Sequence, residues 1–514
     1  MAESEMETVG FIDIGTNSIH LLVSRFYGGS GVSQVFQDKE SVRLGRSLYE
    51  NNAIDEGTIS KASLVVSRFA ETARVHGATK IVAYATCAAR EAPNAHELIE
   101  RCEGVDVHII PGTEEARLTA LGVFGPSGPS ERSIDIDIGG GSTEIAIREN
   151  GKDLYLDSLS IGTIRYAFGK GVDCSKPISL SDYKYLQRCV DLDSYRTSGA
   201  VKSIGFKTAW GSSGTLETIG VVCGSRRDDH DTSYFYRFEL TQLMSELIGM
   251  DASRRTAYPG INKSRSDIIV SGGAIAEELM LSFGIERMNI SHNGLREGMQ
   301  IDHMLSAGYT CFNARDSSVK ALAIRCGFDS AHAEYVRDIS LRLFDETKRY
   351  NLHNMGADLR NLLSNASLLH DIGELVNYSN HHVLSQVMIE NSDMVGFDCD
   401  ELHMMGLMVR FHHKKFPGSK DPLLKGLDAE SNLSVRMCAM FLRISDIMDR
   451  HRSSVVSDME TGYDSSGFHI ILLTSGDAEM EQWRLCRLNS DFNKLFGCPL
   501  NVSIRITASE HVDG

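Results

Sequence analysis

The sequence predicts a multidomain chain: α/β at first, all-α after about Leu305, and closed by a small α+β module. Three observations carry that prediction. An apolar strand ending in Asp-Ile-Gly and followed by small polar residues occurs twice, with its aspartates at Asp13 and Asp137, 124 residues apart. That spacing is a domain-sized duplication, not a solenoid repeat. Strand-like and helix-like segments alternate between and after the two copies. Past Leu305 helical periodicity dominates to about Asp449, eleven of the 18 histidines follow Ser330, and alternating strand patterns return after Val455. The expected divisions are 1–125, 126–305, 306–452 and 453–514.

Each element has a local signal. Val9–Phe26 reads as strand, polar turn and strand around Asp13; Glu56–His76 reads as a helix, Lys80–Thr86 and Asp106–Ile110 as strands. Pro111-Gly112 stops the last of these before a helix over Thr113–Phe124, and Pro126, Gly128 and Pro129 mark a hinge. Ile134–Ile147, IDIDIGGGSTEIAI, repeats the opening pattern around a three-glycine turn. Beyond it come a strand over Asp153–Leu159, a helix over Leu180–Tyr195, a turn at Gly211–Thr215 opening a helix to Val222, a strand over Asp267–Ser271, and a helix over Ala274–Phe283. In the closing module Gly467–Leu473 and Leu500–Ile506 read as strands around one helix over Ala478–Phe496.

The formal charge of −17 disfavours a general binder of nucleic acid or of anionic membranes, because such a surface repels polyanions. A polyanionic substrate must then be met by local cationic groups. Eleven cysteines without a CxxC pair suit reduced thiols, and no run approaches the length of a membrane span, so the chain is read as cytoplasmic.

The glycine turns suit phosphate. Gly139, Gly140 and Gly141 let backbone N–H groups approach an anion, Ser142 and Thr143 add hydroxyls, and Asp137 and Glu144 flank the turn where they can hold a divalent cation. Thr16, Asn17 and Ser18 follow Asp13 in the same way. Two lobes carrying one turn each would grip a phosphate chain from both sides. Gly211, Ser212, Ser213, Gly214 and Thr215 form a further small-residue turn before a helix, another place for an anion.

These segments, DIGTNSIHLLV at 13–23, ATCAAREA at 85–92, IPGTEEARL at 110–118, DIGGGSTE at 137–144, GSSGT at 211–215, SGGAI at 271–275 and LREG at 295–298, resemble in kind and order those of the exopolyphosphatase/guanosine pentaphosphate phosphohydrolase family over about residues 8–305. The resemblance implies two ribonuclease H-like lobes of the actin, Hsp70 and sugar kinase type. It also implies a water-activating glutamate at Glu115, metal or phosphate roles for Asp137 and Glu144 with Asp13 as a further candidate, and an arginine at Arg90 near the bond that is cut. Mg²⁺ or Mn²⁺ in the cleft and a homodimer are implied as well. Hydrolysis of a phosphoanhydride needs a positioned water, a base and positive charge on the non-bridging oxygens, and these residue types supply them.

The helical region carries His332, His370-Asp371 and Asp446, the order found in HD-type metal-dependent phosphohydrolases, and such a domain accompanies long members of the resembled family. Imidazoles with carboxylates suit a second divalent metal. His382 and His412 are added candidates for metal or phosphate, with their neighbours His381 and His413 expected to point elsewhere. Leu384 stands where many family members carry a further histidine, which argues against a second ion. Lys414 and Lys415, in the most basic stretch of the chain, are candidates for a polyphosphate track.

The expected activity is that of an exopolyphosphatase releasing orthophosphate from chain ends. Guanosine pentaphosphate ends in the same linkage and is the nearest alternative substrate. A kinase of the sugar kinase superfamily and a non-catalytic sensor of polyphosphate or an alarmone are the rivals from other classes.

Overall fold

Both Asp-Ile-Gly segments end a central strand. The structure is a computed structural model that describes residues 6–27, 31–228, 230–308, 314–392, 394, 396–452 and 455–506. It divides into two compact units, Met1–Ala314 and Arg315–Gly514.

In the first unit β1 (Met6–Ile14), β2 (Ser18–Tyr27) and β3 (Gly31–Ser41) form an antiparallel meander, and β4 (Lys80–Ala85) and β5 (Val107–Ile109) extend it in parallel, in the order β3-β2-β1-β4-β5. The Glu56–Val75 helix starts at Asp55, whose carboxylate accepts from the Thr58 N–H at 2.9 Å. It buries Ile59, Val66, Phe69 and Ala73 against Ile12, Ile14 and Leu21. A Cβ on Gly10 would lie 2.8 Å from the Ala73 methyl, so the glycine permits this close approach of helix to strand.

The second sheet repeats the plan. β6 (Ser133–Ile138), β7 (Thr143–Glu149) and β8 (Lys152–Leu159) form the meander; with β9 (Thr208–Ser212), β10 (Tyr234–Tyr236) and β11 (Arg287–Ile290) the order is β10-β11-β9-β6-β7-β8. β9 runs parallel to β6, as β4 does to β1. Asp13 opposes His20 on one side and Tyr84 on the other; Asp137 opposes Glu144 and Ser212 in the same places.

Three features of this unit differ from the sequence reading. The Leu295–Ser306 helix returns to the first sheet, where Met299 and Met304 join Val9, Phe11, Leu22 and Leu118 in one core. It crosses the Gly112–Phe124 helix at backbone contact: a Cβ on Gly298 would sit 1.8 Å from the Leu118 carbonyl oxygen, and one on Gly122 2.0 Å from that of Gly294. Asp267–Ser271 is not a strand, because Ile269–Phe283 is one helix. Its two internal glycines are packing sites, since Cβ atoms there would strike Thr215 Cγ2 at 2.5 Å (Gly272) and Met244 Sδ at 2.0 Å (Gly273). The helix begun at Leu180 continues to Ile204, with Ser179 and Asp182 forming a reciprocal cap at its start.

The second unit packs the helices Ser330–Arg349, Ala357–Leu369, His381–Glu390, Cys399–Phe411 and Ala429–Met448 with a sheet of β12 (Val456–Asp464), β13 (Gly467–Thr474) and β14 (Leu500–Ile506). The closing strands are not a module apart: Phe468, Ile470, Leu472 and Phe492 share one core with Val336, Leu363, Met408 and Phe441. β12, with charges scattered through VSDMETGYD, has no clean alternation to announce it. The helix expected over Ala478–Phe496 is two, Glu479–Cys486 and Asn489–Phe496; Asn489, a poor helix-interior residue, uses its side-chain carbonyl to accept the Leu500 N–H at the start of β14. Among the described residues Cys87, Cys102, Cys174, Cys223, Cys326, Cys438 and Cys498 are buried free thiols, and no helix is long and apolar enough to cross a membrane.

Candidate active site

The two turns close in the same way. Gly15 N–H donates to the Ser18 carbonyl and Gly139 N–H to that of Ser142, each at 3.0 Å, so each meander is folded back at its Asp-Ile-Gly end. A cavity of about 420 Å³ lies between them, lined by Thr16, Asn17 and Ser18 on one side and Gly139–Ser142 on the other. The turns meet at Thr16: a Cβ on Gly141 would lie 2.8 Å from Thr16 Oγ1 and 2.8 Å from Cys87 Sγ. Glycine is required there by proximity, and it lines the cavity.

Among the carboxylates that line this cavity, four are raised: Asp13, Glu115, Asp137 and Glu144. Burial raises all of them, and Glu115 further raises the other three. Asp13 is pushed up to about 7 by burial and then by Glu115; Asp137 also reaches about 7, burial and Glu115 outweighing the hydrogen bond from Ser212. Glu144 is driven well above its ordinary range by burial, Glu115 and Asp137. Glu115 is raised by burial against the opposing pull of Arg90, whose Nη1 donates to Glu115 Oε2 at 2.6 Å. Glu144 is held in place by Ser158, whose hydroxyl donates to Oε1 at 2.8 Å. Asp13 Oδ1 is buried with no hydrogen-bond partner. A set of hard oxygen donors that repel one another and include an orphaned atom fits a small divalent cation such as Mg²⁺.

Glu115 sits in the first turn of the Gly112–Phe124 helix, directly after β5, and is only 8% exposed. Glu114 points elsewhere, pairing with Arg117, which also holds Asp302.

Several residues expected on the phosphate turns serve other ends. Thr143 is fully buried and its hydroxyl donates to the Ile161 carbonyl at 2.7 Å. Gly211 lies inside β9, where a Cβ would meet Leu216 at 2.6 Å and Met288 at 3.1 Å, and Ser212 is buried with its hydroxyl donating to Asp137 Oδ2 at 3.0 Å. Ser213, Gly214 and Thr215 do line the cavity.

Other cavity residues were given no role by the sequence, although Arg296 lies in the LREG segment at 295–298. Lys39, Arg265 and Arg296 bring cationic groups from three separate segments. The Arg265 guanidinium lies against Gly214, where a Cβ would fall 1.6 Å from Nη2, and no carboxylate within ion-pair distance of it is found among the described residues. Burial and the nearby Arg265 pull Lys39 down to about 8. His292 lies 3.7 Å from Glu217, which raises the imidazole and lowers the carboxyl.

In the second unit the structure brings His332, His370, Asp371 and Asp446 together, their donor atoms all within 4.8 Å of one another. A second group, Asp371, His381 and His412, shares the aspartate. His381, not His382, is therefore the partner of His412. His382 lies with His381 and His413, where Arg450 donates to His413 Nε2 at 2.7 Å. Lys414 and Lys415 are exposed, Lys414 Nζ donating to the Asn380 side chain.

Residues 22–307 match the Ppx/GppA phosphatase family profile, and residues 314–495 match that of Ppx/GppA phosphatase domain III. The chain belongs to the Ppx/GppA phosphatase family. It is thereby a phosphoanhydride hydrolase. Among Ppx/GppA relatives, a protein of Aeromonas hydrophila subsp. hydrophila named guanosine-5'-triphosphate,3'-diphosphate pyrophosphatase is 27% identical over 457 residues, covering 86% of this chain and 87% of its own length. A protein of the same name from Vibrio cholerae serotype O1 is 26% identical over 457 residues, covering 87% and 88%. The crystal structure of an exopolyphosphatase from Cytophaga hutchinsonii is similar at a TM-score of 0.52 with 24% identity, over 58% of this chain and 98% of that one. An exopolyphosphatase-like protein gives a TM-score of 0.53, also at 24% identity. These likenesses place the Ppx/GppA chain in the fold shared by those structures.

Proposed function

We propose that the cleft of the first unit hydrolyses the terminal phosphoanhydride of guanosine pentaphosphate, releasing orthophosphate. The observation that carries the reaction type is the position of Glu115, buried and raised at the cavity wall, opposite two backbone turns open to phosphate. The substrate rests on the relatives named for guanosine-5'-triphosphate,3'-diphosphate, which align over most of both chains.

Glu115 accepts a proton from the attacking water, and its raised affinity for that proton suits a general base near neutral pH. Arg90 holds the carboxylate by its Oε2 and fixes its orientation. The N–H groups of Gly139–Ser142, the Thr16 hydroxyl and the Asn17 amide meet the non-bridging oxygens, and Arg265, Lys39 and Arg296 meet the remaining charge of the phosphate chain. Asp13, Asp137 and Glu144 would hold Mg²⁺, which when bound supplies positive charge to the transferred phosphoryl group. The water oxygen bonds to phosphorus as the bridging P–O bond breaks, and the departing phosphate oxygen carries away the charge. In the second unit, His332, His370, Asp371 and Asp446 would form an HD-type site for one divalent ion.

The test is kcat/KM measured side by side on guanosine pentaphosphate and on inorganic polyphosphate. A clear preference for guanosine pentaphosphate supports this substrate; a preference for polyphosphate returns the chain to the exopolyphosphatase reading with the same catalytic groups.

A further inference from the structure

We propose that Arg165 is a positioning residue for the hydrolysis: it ties the Gly139–Ser142 turn to the helix that carries Arg90, and so fixes the spacing between the phosphate on the turn and the base Glu115. The proposal rests on the reading of Glu115 as the base, and adds to it a side chain that acts through others.

The turn keeps its carbonyls on one side. Gly139 O accepts from the Thr163 N–H at 3.0 Å, and Gly140 O from the N–H groups of Ile164 and Arg165 at 2.8 and 3.2 Å. Gly141 O accepts from the Arg165 side chain, Nε donating at 2.8 Å. These peptides are trans, which sets each N–H opposite its carbonyl, so the N–H groups of Gly140, Gly141 and Ser142 are turned away from residues 163–165. Gly162 lets the two segments come this close: a Cβ there would fall 2.4 Å from the Gly141 carbonyl carbon and 2.5 Å from Gly140 O. Backbone donors thus fix the first two carbonyls, and a guanidinium fixes the third.

The same guanidinium reaches an element of the first sheet. Its Nη2 donates to both Glu91 carboxylate oxygens at 2.6 Å, and its Cζ lies 4.7 Å from the centre of the Tyr49 ring. A planar fork can serve two acceptors in different directions and stack on a ring at once, which suits arginine to this place. Glu91 ends the Cys87–Glu91 helix, and Arg90 beside it donates to Glu115 Oε2 at 2.6 Å and to the Ile110 carbonyl at 3.0 Å. A continuous link of charge-assisted contacts therefore runs from Gly141 through Arg165, Glu91 and Arg90 to Glu115. One end is the turn between β6 and β7; the other is the helix that follows β5. The link joins the two elements that must act on one phosphorus atom.

Misplacing reacting groups by about 1 Å costs on the order of 10²-fold in rate. Without Arg165 the turn keeps two of its three anchored carbonyls, and Arg265, Lys39 and Arg296 still line the cavity. Binding should then persist while the spacing to the base loosens, so the loss should fall on kcat and not on KM.

The test is steady-state kinetics of the full chain with Mg²⁺, on guanosine pentaphosphate or inorganic polyphosphate, whichever it hydrolyses faster. Arg165→Ala should lower kcat about tenfold or more, with KM within threefold of the parent and a melting temperature nearly unchanged. Glu91→Ala truncates a side chain that is 34% exposed and leaves the contact of Arg165 with Gly141, so it tests the link even where Arg165→Ala unsettles the fold. It should lower kcat about fivefold or more. In a chain already carrying Glu115→Gln, where no base is left to position, each substitution should cost less than threefold. A kcat within threefold of the parent in both variants, a loss confined to KM, or equal losses with and without Glu115→Gln overturns the role of Arg165 and leaves Glu115 as the base. A Glu115→Gln chain whose kcat stays within tenfold of the parent overturns the base, and this proposal with it.

Discussion

Replacing Gly214 by alanine tests whether Arg265 is a phosphate-binding group held by a glycine seat. The added methyl would fall 1.6 Å from Arg265 Nη2 and 2.2 Å from Cζ, so the guanidinium must leave its place. The fold should tolerate the change. Gly214 lies in the first turn of the Ser213–Gly224 helix without a positive φ, and alanine in a helix is favoured over glycine by about 0.5–1 kcal/mol. What is lost is one charge-assisted contact to the phosphate chain, on the order of 1.5–3 kcal/mol, or roughly a ten- to hundredfold rise in KM. Steady-state kinetics on guanosine pentaphosphate, with a melting curve as control, reads both. Arg265→Ala should give the same KM, and the double substitution should add nothing, because both remove one contact. A KM within twofold of the parent in Gly214→Ala, or additive losses in the double variant, refutes the reasoning.

Other outcomes follow from the same geometry. Asp13 and Asp137 have folded values of about 7, raised above those of the unfolded chain. The stability they contribute is therefore full below about pH 4 and lost as pH rises through 7, at most about 4 kcal/mol for one such group. Metal-free protein should melt lower at pH 8 than at pH 5.5 on their account, and Mg²⁺ should raise the melting temperature more at pH 8; equal Mg²⁺ shifts at both would contradict the carboxylate site. Gly298→Ala places a methyl 1.8 Å from a backbone oxygen that cannot swing away, so it should lower stability by about 1–3 kcal/mol in urea unfolding and also lower kcat, because the Glu115 helix is the one displaced. Ser158→Ala, which removes the donor to Glu144 Oε1, should weaken activation by Mg²⁺ several-fold in a metal titration and leave the melting temperature nearly unchanged.

The glycine turns were legible because a strand, an aspartate and small residues recur at matching positions, and the structure gives Asp13 and Asp137 equivalent registers in two sheets of matching order. The place of Glu115 at the cavity wall was legible through its motif. Lys39 and Arg265 were not, since a lone cation has no spacing to betray it; Arg296 stands in the LREG segment without a stated role, and only the folded chain brings the three together. The small-residue run at 211–215 misled in part: Gly211 and Ser212 are the buried end of a strand, and their smallness serves Met288, Leu216 and Asp137. The choice between His381 and His382 turned on where a helix begins. His381 is the first residue of the His381–Glu390 helix, after a short turn that directs its ring toward Asp371, and boundary residues of this kind are what periodicity locates least well.

The most direct measurement is of Glu115→Gln, which keeps the size of the side chain and an oxygen for Arg90 while removing the base. The account predicts a kcat on guanosine pentaphosphate lower by about 10²–10⁴-fold with a Kd as tight as the parent's or tighter, since one negative charge has left the cleft. A kcat within tenfold of the parent, or a loss that resides in Kd alone, would contradict it.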